Sequence, residues 1–111
     1  MTLPGEHPKH SLRQMELSFA TQALRDVCAN EGKAVQQFGS FTAAKLRARL
    51  EDLRAVDYLH ELRVGSPKFE GLAGTISLSK DFELHVECYG IQANGTWKNA
   101  ERLKILDIRK K

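Results

Sequence analysis

Residues 63–89 read RVGSPKFEGLAGTISLSKDFELHVECY, a basic loop broken by Gly and Pro and followed by two short alternating segments. In Thr75–Leu78 and again in Phe82–Cys88, apolar and polar side chains alternate with period two, the signature of half-buried strands. Ser79-Lys80-Asp81 between them is short enough to turn a hairpin. Ile76, Leu78, Phe82, Leu84, Val86 and Cys88 are expected to meet helices. Thr75, Ser77, Glu83, His85 and Glu87 then form an open polar face, the place where a site is expected.

Upstream, Met15–Phe19 also alternates and predicts a first strand. Thr21 is placed to cap a helix whose stripe runs Leu24, Val27, Cys28, Glu31, Val35 and Phe38. Gly32 weakens the middle of that helix, and Gly39 is expected to stop it. Ser40 or Thr42 then caps a second helix, with Leu46, Leu50, Leu53 and Val56 inward and Lys45, Arg47, Arg49 and Arg54 outward. Arg47 and Glu51 are spaced to pair at i,i+4. A short break makes the two helices antiparallel neighbours. Residues 57–71 read as a long polar connection, and 90–95 as a turn-rich excursion. The closing strand, Leu103–Ile108, has apolar residues in both phases (Leu103 and Ile105; Leu106 and Ile108), which predicts a central strand covered on both sides. The whole is an α+β fold: an N-terminal strand, an antiparallel helical hairpin, then a three-stranded antiparallel portion completing one sheet.

The 111 residues suffice for one domain with one modest core. Residues 1–14, with Pro4, Gly5 and Pro8 and no apolar periodicity, read as a flexible arm, and 15–111 as the domain. No apolar run approaches the roughly 18 residues of a membrane span. The N-terminus has no secretory-signal pattern. Cys28 and Cys88 fall inside apolar patterns and read as free buried thiols in a reducing, cytoplasmic setting. His7 and His10 have no third ligand beside them, so no metal site is expected. The net charge is +3. Residues 98–111 carry six basic and two acidic side chains, so that segment is +4 and the rest of the chain −1. A basic end of this kind suits a polyanion or an acidic protein partner.

Phosphate loops, paired Cys-x-x-Cys and His-Glu-x-x-His are all missing from the sequence. His85 is the residue with chemistry to offer, because it lies on the polar phase between Glu83 and Glu87. Flanking carboxylates favour its charged form, which suits proton transfer or a phosphate contact. Arg63, Lys68 and Lys80 border the same face, and Arg109, Lys110 and Lys111 close the chain. Together they would make a basic cleft around a proton-handling group, the requirement for cleaving RNA through its own 2′-hydroxyl.

Residues 15–39 (MELSFATQALRDVCANEGKAVQQFG), the helix FTAAKLRARLEDLRAV, Gly65-Ser66-Pro67, the strand FELHVEC and the closing Trp97…Arg102–Ile108 together resemble the RelE/ParE toxin superfamily. Within it they are most similar to the HigB-like, plasmid-maintenance-killer branch. The resemblance spans residues 15–108 and lies in order and spacing. It implies the toxin of a type II toxin–antitoxin system, acting as a ribosome-dependent, metal-independent mRNA endoribonuclease without a cofactor. Its partners would be a cognate helix-turn-helix antitoxin and the ribosome with its mRNA. His85, Glu83 and Lys68 would be catalytic; Arg63, Lys80, Arg109 and Lys110 would bind RNA phosphate. The chain departs from the family's nuclease pattern at Thr75, Ser77 and Glu83, where basic residues are usual. That departure keeps a second implication open: a non-catalytic toxin-fold protein that inhibits gyrase, as ParE-like members do, or only binds its antitoxin.

Overall fold

The computed structural model describes residues 15–91 and 95–111; the expected N-terminal arm and the centre of the 90–95 excursion lie outside them. Strand β1 (Glu16–Phe19) leads through Thr21, whose hydroxyl accepts the Leu24 N–H at 3.1 Å, into helix α1 (Gln22–Ala29). The helix ends earlier than the stripe predicts. Asn30 leaves helical geometry (φ −123°, ψ 109°) and its side chain accepts the Lys33 N–H at 3.0 Å, so it closes α1 and caps α2 (Glu31–Ala55) at once. The break therefore falls at Asn30 rather than at Gly32, because an Asn side chain can satisfy an orphan donor that glycine cannot. Gly39 interrupts α2 as expected, with φ 86° and ψ 162°. Thr42 does not cap the second half: it is buried and donates to Ser79 Oγ at 3.0 Å, tying the helix to the β-hairpin turn.

Leu46, Leu50 and Leu53 point inward as predicted, at 2, 2 and 0 % exposure. Arg47 faces out and reaches Glu51 at 3.7 Å and Glu31 at 3.4 Å. Arg49 does not face out. Its side chain is largely buried, bound to Asp52 at 2.8 Å, and lies against Gly65.

Four strands follow the helices rather than three. The polar connection contains a 3-10 turn (Leu59–Glu61) and a short strand β2 (Lys68–Glu70). It is followed by β3 (Ala73–Ser77), β4 (Phe82–Tyr89), a second 3-10 turn (Trp97–Asn99) and β5 (Arg102–Lys110). The sheet order is β1-β5-β4-β3-β2, antiparallel except for the parallel β1–β5 pair. Phe69 of β2 covers Gly74, its ring so close that a Cβ at Gly74 would lie 2.4 Å away, and Trp97 stacks on Phe69 at 4.6 Å. These rings close the core beside the shortest strand.

β5 is an interior strand between β1 and β4, as its composition predicts, but it is covered on one face rather than both, with Asp107 and Arg109 exposed, and its two apolar phases have another cause. His85 pairs with Asp107 and Val86 with Ile105, which leaves Leu106 as a bulge. The extra residue switches the alternation, so that Leu103, Ile105 and Ile108 all enter the same core. Leu106 is only half-buried.

The loop before β2 is held by Gly65, whose carbonyl accepts the Ser77 N–H at 2.6 Å. Its φ is +80°, and a Cβ there would stand 2.6 Å from Ile76 Cγ2. Gly39 has a similar φ of +86° with open space around it. Gly65→Ala is therefore expected to cost more than the roughly 1–2 kcal/mol of backbone penalty alone that Gly39→Ala incurs. Urea melts of the two variants side by side check this; equal costs would refute the packing argument.

Candidate functional site

The helices cover one face of the sheet, and the other face is open. Register fixes what that open face displays. Along one row lie Asp107, His85, Thr75 and Lys68; along the next, Arg109, Glu83 and Ser77; along a third, Ser18, Lys104, Glu87, Ala73 and Glu70. Adjacent strands lie about 4.8 Å apart, so neighbours in a row touch and second neighbours do not.

His85 and Glu83 are brought together: Nε2 lies 2.9 Å from Glu83 Oε2, and both side chains are partly buried, at 21 and 27 % exposure. Arg109 stands opposite Glu83 but turns along its own strand, donating Nε to Asp107 Oδ2 at 3.1 Å. The other Asp107 oxygen accepts the Ile108 N–H at 2.9 Å. Lys111 donates to Ser77 Oγ at 2.6 Å, and its backbone N–H reaches the Asp81 carbonyl at 2.9 Å. Tyr89 donates its hydroxyl to Glu87 at 2.9 Å, with the Lys104 ammonium 5.3 Å from the ring centre.

The predicted basic residues do not converge as one cleft. Lys68 shares the His85 row but is separated from it by Thr75. Lys110 pairs with Phe82, in the phase that turns toward the helices, and so leaves the polar face to Arg109 and Lys111. Arg63 is exposed in the loop before β2, and Lys80 in the β3–β4 turn. One participant escaped the sequence reading: Asp107 faces His85 only because the bulge reverses the strand's phase, and the same shift leaves Lys111 rather than Lys110 on the polar face. The resulting surface interleaves carboxylates with cations, and Arg109 is engaged rather than free.

Neither cysteine competes as a nucleophile. Burial pushes the Cys28 thiol up to about 11 from an ordinary 9.0, with Arg54 pulling weakly the other way. Burial likewise raises Cys88 to about 11, and the Glu87 carboxylate adds to the effect. A thiol that ionises at higher pH when folded stabilises the fold fully below the unfolded value. That stabilisation is lost as pH rises from about 9 to about 11. Urea titrations at pH 8 and pH 11 are expected to show a smaller alkaline loss for Cys88→Ala than for the wild type. Identical losses would refute this.

No family model matches the chain, and no curated protein matches its sequence. Among solved structures, the chain is similar to one titled "Chromosomal ParDE TA system from P. aeruginosa", with 19 % identity and a TM-score of 0.45, over 88 % of this chain and 97 % of that one. A likeness of that degree carries no functional argument.

Proposed function

We propose that this chain is the toxin of a type II toxin–antitoxin pair, of the HigB-like kind, and that it cleaves mRNA on the ribosome through the open face of its sheet. The reading rests on the resemblance of residues 15–108 and on one observation, the 2.9 Å contact between His85 Nε2 and Glu83 Oε2. A ring that donates Nε2–H to Glu83 keeps the lone pair of Nδ1 as an acceptor. Nδ1 has no partner among the described residues. His85 is then the proton carrier and Glu83 the group that holds its ring in place. The 2′-hydroxyl gives its proton to Nδ1, its oxygen attacks the adjacent phosphorus, and the 5′-oxygen leaves with a proton from solvent. Arg109 would meet the phosphate by releasing Asp107; Lys111, Lys68, Arg63 and Lys80 would carry the flanking backbone. The partners are a helix-turn-helix antitoxin and the programmed ribosome, in the cytoplasm.

Purified protein mixed with programmed ribosomes is expected to give discrete mRNA fragments. Intact message, beside an active ribosome-dependent nuclease as control, would overturn the proposal. The second reading is a binder without chemistry, either a gyrase inhibitor or an antitoxin partner alone. The Arg109–Asp107 pair favours it, because a cation already neutralised binds phosphate poorly. Loss of supercoiling by gyrase, with the message left intact, would establish it.

A further inference from the structure

A groove of about 600 Å³ runs between β1 and α1, and its lining includes no residue of β5. Met15, Leu17, Phe19 and Cys28 give it apolar walls. Ser18 and Ala20 also line it, so it follows the strand rather than one side chain. Among the described residues, the charged side chains that line it are Arg25 and Arg54. Both are exposed, and neither meets a carboxylate among the described residues.

The strand beside it is an open edge. Among the described residues β1 pairs only with β5, in parallel. Glu16 and Ala20 direct their N–H groups to the carbonyls of Glu101 and Ile105, at 3.1 and 2.9 Å. In a parallel pair, alternate residues send both backbone groups to the same side. Leu17 and Phe19 therefore turn their N–H and C=O groups away from the sheet, without a partner among the described residues. An open edge with free rungs is a template for another strand.

From these features we infer that the β1 edge binds an extended acidic segment of a partner protein, which adds a sixth strand to the sheet. Its backbone would pair with Leu17 and Phe19, alternate apolar side chains would enter the groove, and carboxylates would meet Arg25 and Arg54. A basic segment fits poorly, because no acid among the described residues lines the groove to receive it. The inference is independent of the toxin reading, since the groove uses none of the residues given a part in RNA cleavage or phosphate binding.

The probe is an acetylated, amidated eight-residue peptide of alternating valine and glutamate, titrated into the ¹⁵N-labelled full chain. Saturable binding is expected, with the Leu17 and Phe19 amides shifted and protected from exchange. A lysine-for-glutamate peptide is expected to bind at least tenfold more weakly, and the Arg25→Glu/Arg54→Glu variant to reverse that preference. A peptide N-methylated at every second nitrogen should bind through one strand face only and lose affinity when the methyls face β1. No binding, shifts confined to other residues, equal affinity for the two charges, or indifference to N-methylation would each overturn the inference.

Discussion

Alanine at position 85 is expected to lower the rate of RNA cleavage by about 10²–10⁴-fold, the usual contribution of a positioned proton carrier. The fold should survive, because His85 is on the open face and its one side-chain partner, Glu83, can turn to water. Glu83→Gln keeps an oxygen that can accept from the ring, so its loss should be smaller than that of His85→Ala. Lys68→Ala should weaken RNA binding more than turnover, because Thr75 separates Lys68 from His85. Single-turnover cleavage by the three variants, with far-UV spectra to verify folding, is the measurement. Wild-type turnover by His85→Ala would remove His85 from the chemistry.

The second large effect is on stability. Leu84 is at 0 % exposure on β4, opposite Ile76 of β3 and Ile108 of β5, both in the same core. Strands hold it on both sides, so the site cannot collapse easily around a smaller residue. Leu84→Ala is expected to cost about 2–5 kcal/mol. For a domain of this size that is a large part of the typical stability of about 5–15 kcal/mol. Leu72→Ala, at a position 48 % exposed, should stay within about 0.5 kcal/mol. Chemical denaturation of both variants decides the matter. A cost below about 1 kcal/mol at Leu84 would show a core looser than the packing implies.

Alternation made the hairpin legible. Ile76, Leu84, Val86 and Cys88 entered the core in the predicted phase, because register around a buried face is strongly specified. Leu46, Leu50 and Leu53 were legible for the same reason at helical spacing. β2 was hidden because Lys68-Phe69-Glu70 is too short to show a period, and only its pairing with Ala73–Thr75 makes it a strand. Arg49 was misplaced because helical spacing does not reveal that an incoming glycine loop will cover it. At the site, His85 and Glu83 could be found because both lie on one strand at i,i+2. Asp107 could not, since its place depends on a shift of phase between two strands that no local pattern records, and the same shift decides between Lys110 and Lys111.

That shift also sets how the C-terminal half of β5 can be inherited or engineered. Leu106 works as a spacer that decouples two stretches of opposite parity. Residues 107–111 can exchange their polar side chains without disturbing the buried set before the spacer. Deleting Leu106, or grafting 107–111 onto an unbulged strand, would turn Asp107 and Arg109 toward the helices and Ile108 toward water. The cationic terminus and the His85 row are thus bound to a single inserted residue, and homologous strands are comparable here only after that residue is aligned.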